Sequence, residues 1–145
     1  MPADLRTFLR EAVAAAPGDV KAIRRPVDRT FAIAAHAAKL AARSEYPVLL
    51  FTAVEGSRFP CVANVVATYD RVALALGCGV ADIPRAYGET LVRAIAPAVV
   101  TRAAAPVKEV VVRGAGVDLG QLPIAYHNEL DGGPYITLPM VITRG

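Results

Sequence analysis

"YPVLLFTAVEGSRFPCVANVV", residues 46–66, decides how this chain folds. Tyr46-Pro47 leads a short uninterrupted apolar run, and a run of that kind forms a strand buried on both faces. The segment EGSRF then supplies a turn, and PCVANVV supplies a second extended run. Working outward toward the N-terminus, FAIAAHAAKLAARSE (residues 31–45) has high helix propensity. It places Ile33, Ala37 and Leu40 in one apolar stripe, with Lys39 and Arg43 pointing elsewhere. Before it, VKAIRRPVD (residues 20–28) alternates imperfectly until Pro26, as an edge strand does. DLRTFLREAVAAA (residues 4–16) sets Leu5, Phe8, Leu9 and Val13 at helical spacing behind Asp4 as N-cap, and Pro17-Gly18 ends the pattern.

Downstream, TYDRVALALG (residues 68–77) reads as a helix capped by Thr68, with Val72, Leu74, Ala75 and Leu76 inward and Gly77 past its end. ETLVRAIAP (residues 89–97) reads as one more short helix stopped at Pro97. Near Ala103 to Pro106 the composition shifts. KEVVVRG (residues 108–114) is β-branched and strand-like, and Gly, Pro and Asp then punctuate loops before a closing extended run, YITLPMVIT (residues 135–143). The expected class is α/β (α+β). A helix-flanked mixed sheet occupies residues 1–103, and strand and loop occupy residues 104–145.

The chain has 145 residues, 54% hydrophobic and 20% charged, enough for a domain-sized core and too apolar for disorder. The net charge of +3 comes from scattered arginines with no basic block, which argues against nucleic-acid binding. Charged residues or prolines interrupt every apolar run, so no membrane span is expected. The N-terminus lacks the basic-then-apolar pattern of a secretory signal, and the cytoplasm is the expected compartment. Cys61 and Cys78 form no CxxC pair and are expected to be buried thiols.

Few residues offer chemistry of their own. His36 has no carboxylate or cysteine at ligand spacing and reads as a packed or solvent-facing helix histidine. His127 lies in a loop with Asn128, Glu129 and Asp131, a polar set suited to a polar ligand or hard cation, although loop polarity alone accounts for it more readily. Gly77, Gly79 and Gly88 fit neither a dinucleotide fingerprint nor a phosphate loop, and Ser44 and Ser57 lack a nucleophile elbow.

A resemblance carries the reading further. In chain order, LRTFLREA, IRRPVD, YPVLLFTAVEGSRFPCVANVV, RVALALG, APVKEVVVRGAGVDLGQLPI and DGGPYITLPMVITRG resemble the N-terminal part of the UbiD family. The family departs from this chain at Ala67, Thr68 and Tyr69, where it usually has Gly followed by Ser or Thr and Arg. Members are reversible non-oxidative decarboxylases of aromatic and α,β-unsaturated carboxylic acids that use prenylated FMN with manganese and potassium. The resemblance implies that residues 104–145 are the first strands of a split β-barrel that cradles the flavin. It also implies that Thr137 contacts the cofactor, with Asp131-Gly132-Gly133 making the turn that aims its strand. The family's metal-binding asparagine, catalytic arginine and acidic residues follow the position of Gly145, so no catalytic or metal-binding residue is expected within these 145 residues. The expected partner is the remaining UbiD-like polypeptide, in a homo- or hetero-oligomer. A non-catalytic accessory subunit is the alternative.

Overall fold

The computed structural model describes residues 4–138 apart from Ala94 and Pro97. Helix α1 (Leu5–Ala15) leads into strand β1 (Val20–Ile23), followed by α2 (Ala32–Ala41), β2 (Val48–Phe51) and β3 (Cys61–Ala63). Helices α3 (Tyr69–Leu76) and α4 (Ile83–Val92) complete the regular elements, and short 3-10 turns punctuate residues 102–121. The sheet order is β1-β2-β3. Strand β2 runs parallel to β1, with Val20 opposite Val48 and Ile23 opposite Phe51, and antiparallel to β3, with Leu49 opposite Ala63 and Phe51 opposite Cys61. The apolar run that opened the sequence reading is therefore the central strand, and the VKAI run is an edge.

The alternation of β2 divides the core. Leu49 and Phe51 face α2 and join Val27, Ile33, Val54 and Ala125 in one buried cluster, with Ala37 and Leu40 packed against it. Val48, on the other face of the strand, is completely buried as well. Helix α1 buries Phe8 and Ala12 and lies against α3 and β1, while Leu5 and Val13 are exposed. The inward stripe of α1 is thus narrower than its spacing predicts.

Helix α3 departs most from the reading. Thr68 caps it as expected, accepting from Arg71 N, and Gly77 ends it in the left-handed region at φ 67°. Its fully buried residues, however, are Arg71 and Ala73, whereas Val72, Leu74, Ala75 and Leu76 are only half-buried. Arg71, 2% exposed, donates from Nε to the Val65 carbonyl at 3.0 Å, and from NH2 to the carbonyls of Tyr46 at 2.5 Å and Asn64 at 3.0 Å. Its NH1 meets the Asp19 carboxylate at 2.5 Å. A buried guanidinium is tolerated because each of these groups is satisfied, and the same bonds tie α3 to the turn before β1, to Tyr46 two residues before β2, and to the exit of β3.

Helix α4 begins at Ile83, earlier than expected, and ends at Val92; Pro97, the expected stop, lies outside the described residues. The KEVVVRG segment is not a strand: residues 106–108 form a 3-10 turn and residues 110–113 have no ladder. β-branched propensity makes a strand only where a neighbour completes the hydrogen bonds, and among the described residues none lies beside it. Of YITLPMVIT, residues 135–138 are not in a strand and residues 139–143 lie outside the described residues.

Residues 120–126 instead lie along the first region. Tyr126 N donates to the Arg29 carbonyl at 3.0 Å, and Phe31 N donates to the Tyr126 carbonyl at 2.8 Å. Arg29 NH1 reaches the Gly120 carbonyl and Ser57 Oγ the Gln121 carbonyl, each at 2.7 Å. Phe31 sits at φ 64°, costly for an aromatic residue, and these bonds with the tilted Tyr126 ring 5.1 Å away hold it there.

Two stability predictions follow from this packing. Arg71→Met should lower unfolding free energy by about 3–5 kcal/mol in urea titration, because three carbonyls and a carboxylate lose their donor. Thr68→Ala should cost about 1 kcal/mol by loss of the cap. Equal, small effects of the two substitutions would contradict the assignment of Arg71 as a structural centre.

Candidate cofactor-binding cleft

Three parts of the chain converge on a cleft of about 320 Å³. Helix α2 contributes Ile33, Ala34 and Ala37, strand β3 and its exit contribute Cys61 to Asn64, and the C-terminal segment contributes Pro123, Ala125, His127 and Tyr135 to Thr137. The floor is apolar and built largely from small side chains, so a flat ring can approach the backbone. Asn64, His127 and Thr137 supply its amide, imidazole and hydroxyl groups. The volume is at the lower end of small-molecule sites, roughly 300–1,000 Å³.

Local structure explains how these polar groups are presented. Asn64 adopts φ 60°, a left-handed conformation that Asn tolerates better than most residues, and its carbonyl is held by Arg71. The imidazole of His127 lies 4.8 Å from the Tyr135 ring, and its Nε2 is 3.2 Å from the Tyr135 carbonyl, which can only accept, so Nε2 carries the proton. Asp131 closes the intervening turn by accepting from Asn128 N at 2.9 Å, and its carbonyl accepts from the Tyr126 hydroxyl at 3.0 Å. Glu129 and Asp131 thus stand apart from a ligand set. Among the described residues no group of three or more His, Cys, Asp or Glu side chains is placed to hold a metal.

Cys61 lines the cleft as a free thiol, and burial pushes its pKa up from the ordinary value. Thr137, the one cofactor contact named from the sequence, is on the cleft wall and exposed. Asn64 escaped the sequence reading. The only trace it leaves there is a polar residue at the end of an apolar strand. His36 lies outside the cleft, on another face of α2.

Two protein-family models match the chain: the 3-octaprenyl-4-hydroxybenzoate carboxy-lyase N-terminal domain over residues 12–91, and the Rift-related domain of the same enzyme over residues 98–145. The chain belongs to the UbiD family. Among solved structures it is similar to an evolved dimeric form of the UbiD-class enzyme HmfF from Pelotomaculum thermopropionicum in complex with prFMN (31% identity, TM-score 0.76). It is equally similar to the vanillic acid decarboxylase of Sedimentibacter hydroxybenzoicus (31% identity, TM-score 0.76). The 3,4-dihydroxybenzoic acid decarboxylase of Enterobacter cloacae shares the fold at 23% identity and TM-score 0.73. The matches cover 92%, 92% and 90% of this chain but only 30%, 29% and 29% of those chains. The chain therefore spans about three tenths of the length of these enzymes.

The raised thiol pKa makes a prediction about reactivity. Cys61 should react with iodoacetamide at pH 7.5 more than tenfold slower than in the urea-unfolded chain, because both burial and the smaller thiolate fraction oppose attack. Stability from the neutral buried thiol is fully present below the unfolded thiol's pKa and is lost as pH rises through the raised folded value. Mass spectrometry of the alkylated chain reads the rate, and equal rates in the two states would contradict the burial.

Proposed function

We propose that this chain is the N-terminal part or subunit of a reversible non-oxidative decarboxylase of aromatic or α,β-unsaturated carboxylic acids, working in the cytoplasm. The observation that carries the reading is the overlay of 92% of the chain, at 31% identity, on a UbiD-class enzyme in complex with prFMN. In this reading residues 1–103 are the N-terminal α/β domain and residues 104–145 open the split-barrel domain that takes prenylated FMN.

The cleft suits part of such a cofactor. Its small-residue floor can accept a planar ring, and the Thr137 hydroxyl and Asn64 amide can donate to ring oxygens. Among the described residues no cationic side chain lines it, and in this reading the cofactor phosphate is neutralised by groups outside the described cleft. Manganese and potassium, with their ligands, would come with the remaining UbiD-like polypeptide. When bound, prenylated FMN supplies the electron sink that lets the bond to the carboxylate break. The chain's own share is to orient the ring, through Thr137, and to exclude water from its apolar floor.

Exposed apolar side chains support a covering polypeptide. Ile95 is 87% exposed, Val99 95%, Val107 80% and Val110 74%, apolar surface that a covering partner would remove from water. We infer that the remaining UbiD-like polypeptide covers them, in a homo- or hetero-oligomer.

The test compares the chain alone with the chain co-expressed with the remaining part of a UbiD-class enzyme, each given prenylated FMN and manganese. Carbon dioxide release from vanillate, 3,4-dihydroxybenzoate and a panel of unsaturated acids is expected only from the pair. Thr137→Ala in the pair should weaken flavin retention about fivefold or more, the loss of one hydrogen bond. Flavin-dependent turnover by the chain alone would contradict the division of labour. A pair that assembles, holds no flavin and leaves the turnover of a full-length relative unchanged would establish the accessory role instead.

A further inference from the structure

On the face of α2 away from the cofactor cleft, a second cleft of about 410 Å³ is lined by Arg25, His36, Lys39 and Arg43 among alanines and Leu40. Its geometry is built around His36. The imidazole stands edge-on to the buried Phe51 ring, 5.5 Å between centroids at 86°. Its Nδ1 lies 2.7 Å from the Ala32 carbonyl, and its Nε2 lies 2.9 Å from Arg25 NH2. A guanidinium can only donate and a carbonyl can only accept, so Nε2 accepts from Arg25 and Nδ1 carries the proton. His36 is therefore a neutral bracket. It fixes Arg25, whose other N–H groups have no partner among the described residues.

Lys39 follows His36 by three positions on the same side of α2, and Arg43, in the turn just past the helix, lines the same cleft. Helix α2 contains no acidic residue. Among the described residues Arg25, Lys39 and Arg43 have no carboxylate within ion-pair distance, and the nearby Glu45 is engaged by Lys21 at 3.1 Å. Three uncompensated cations around one concave surface repel one another unless an anion sits between them. A guanidinium fork held by His36 beside two exposed cations matches the several oxygens of a phosphate group better than a single carboxylate does.

We propose that this cleft binds a phosphate group, as the free ion or as the monoester of a small molecule, at a site separate from the cofactor cleft. The helix dipole alone gives Lys39 and Arg43 a favourable place near the end of α2, but it provides no reason for a bracketed arginine opposite them.

The test is a ¹H–¹⁵N titration of the chain with inorganic phosphate and, separately, with AMP, against sodium chloride at matched ionic strength. Saturable shifts confined to Arg25, His36, Lys39 and Arg43 are expected. The Lys39→Gln and Arg43→Gln variants, altered only at exposed positions, should each weaken binding about tenfold, the loss of one charge-assisted contact. Tighter binding of AMP than of phosphate supports the monoester, and equal binding supports the free ion. Shifts that chloride reproduces, or that persist unchanged in both variants, would overturn the proposal.

Discussion

The buried guanidinium of Arg71 is the contact on which the rest of the chain depends. One side chain on α3 holds the carboxylate of Asp19, the carbonyl of Tyr46 and the carbonyls of Asn64 and Val65. Those positions are the turn before β1, the approach to β2 at Tyr46, and the exit of β3. A three-stranded sheet whose third strand has three residues has few ladder bonds to keep its strands in register. The cation supplies connections that the backbone lacks, and breaking them leaves buried polar groups unpaired. Because Asn64 also lines the candidate cleft, the same network sets one of its walls.

Much of this architecture was legible in the sequence. Residues 48–51 are apolar without interruption, and the structure makes them the central strand with three of the four fully buried. The Asp4 and Thr68 caps, the Gly77 terminus and the Ile33, Ala37 and Leu40 face of α2 follow from local chemistry and fall where expected. The resemblance that named the UbiD family rested on several segments in collinear order, and the family comparison matches both regions of the chain.

Non-local partners were not legible. Nothing in the α3 sequence marks Arg71, because its acceptors lie up to 52 positions away in sequence. Asn64 reads as a strand end, since only the Arg71 bond and the left-handed backbone give it direction. KEVVVRG has strand propensity, but propensity cannot supply the neighbouring strand that a ladder needs. Tyr126 likewise looks like an ordinary loop residue, although it pairs with Arg29 and Phe31 and supports a strained backbone.

Hydrogen exchange in an Arg71→Lys variant tests the central account most directly. Lysine keeps the charge but lacks the fork that reaches four acceptors at once. If Arg71 joins α3 to the sheet, amide protection at Leu49 to Phe51 in β2 and at Ala73 to Leu76 in α3 should fall together, by the same factor. Loss of protection in α3 alone, with β2 unchanged, would contradict the claim that this one cation holds the sheet and the cleft wall in place.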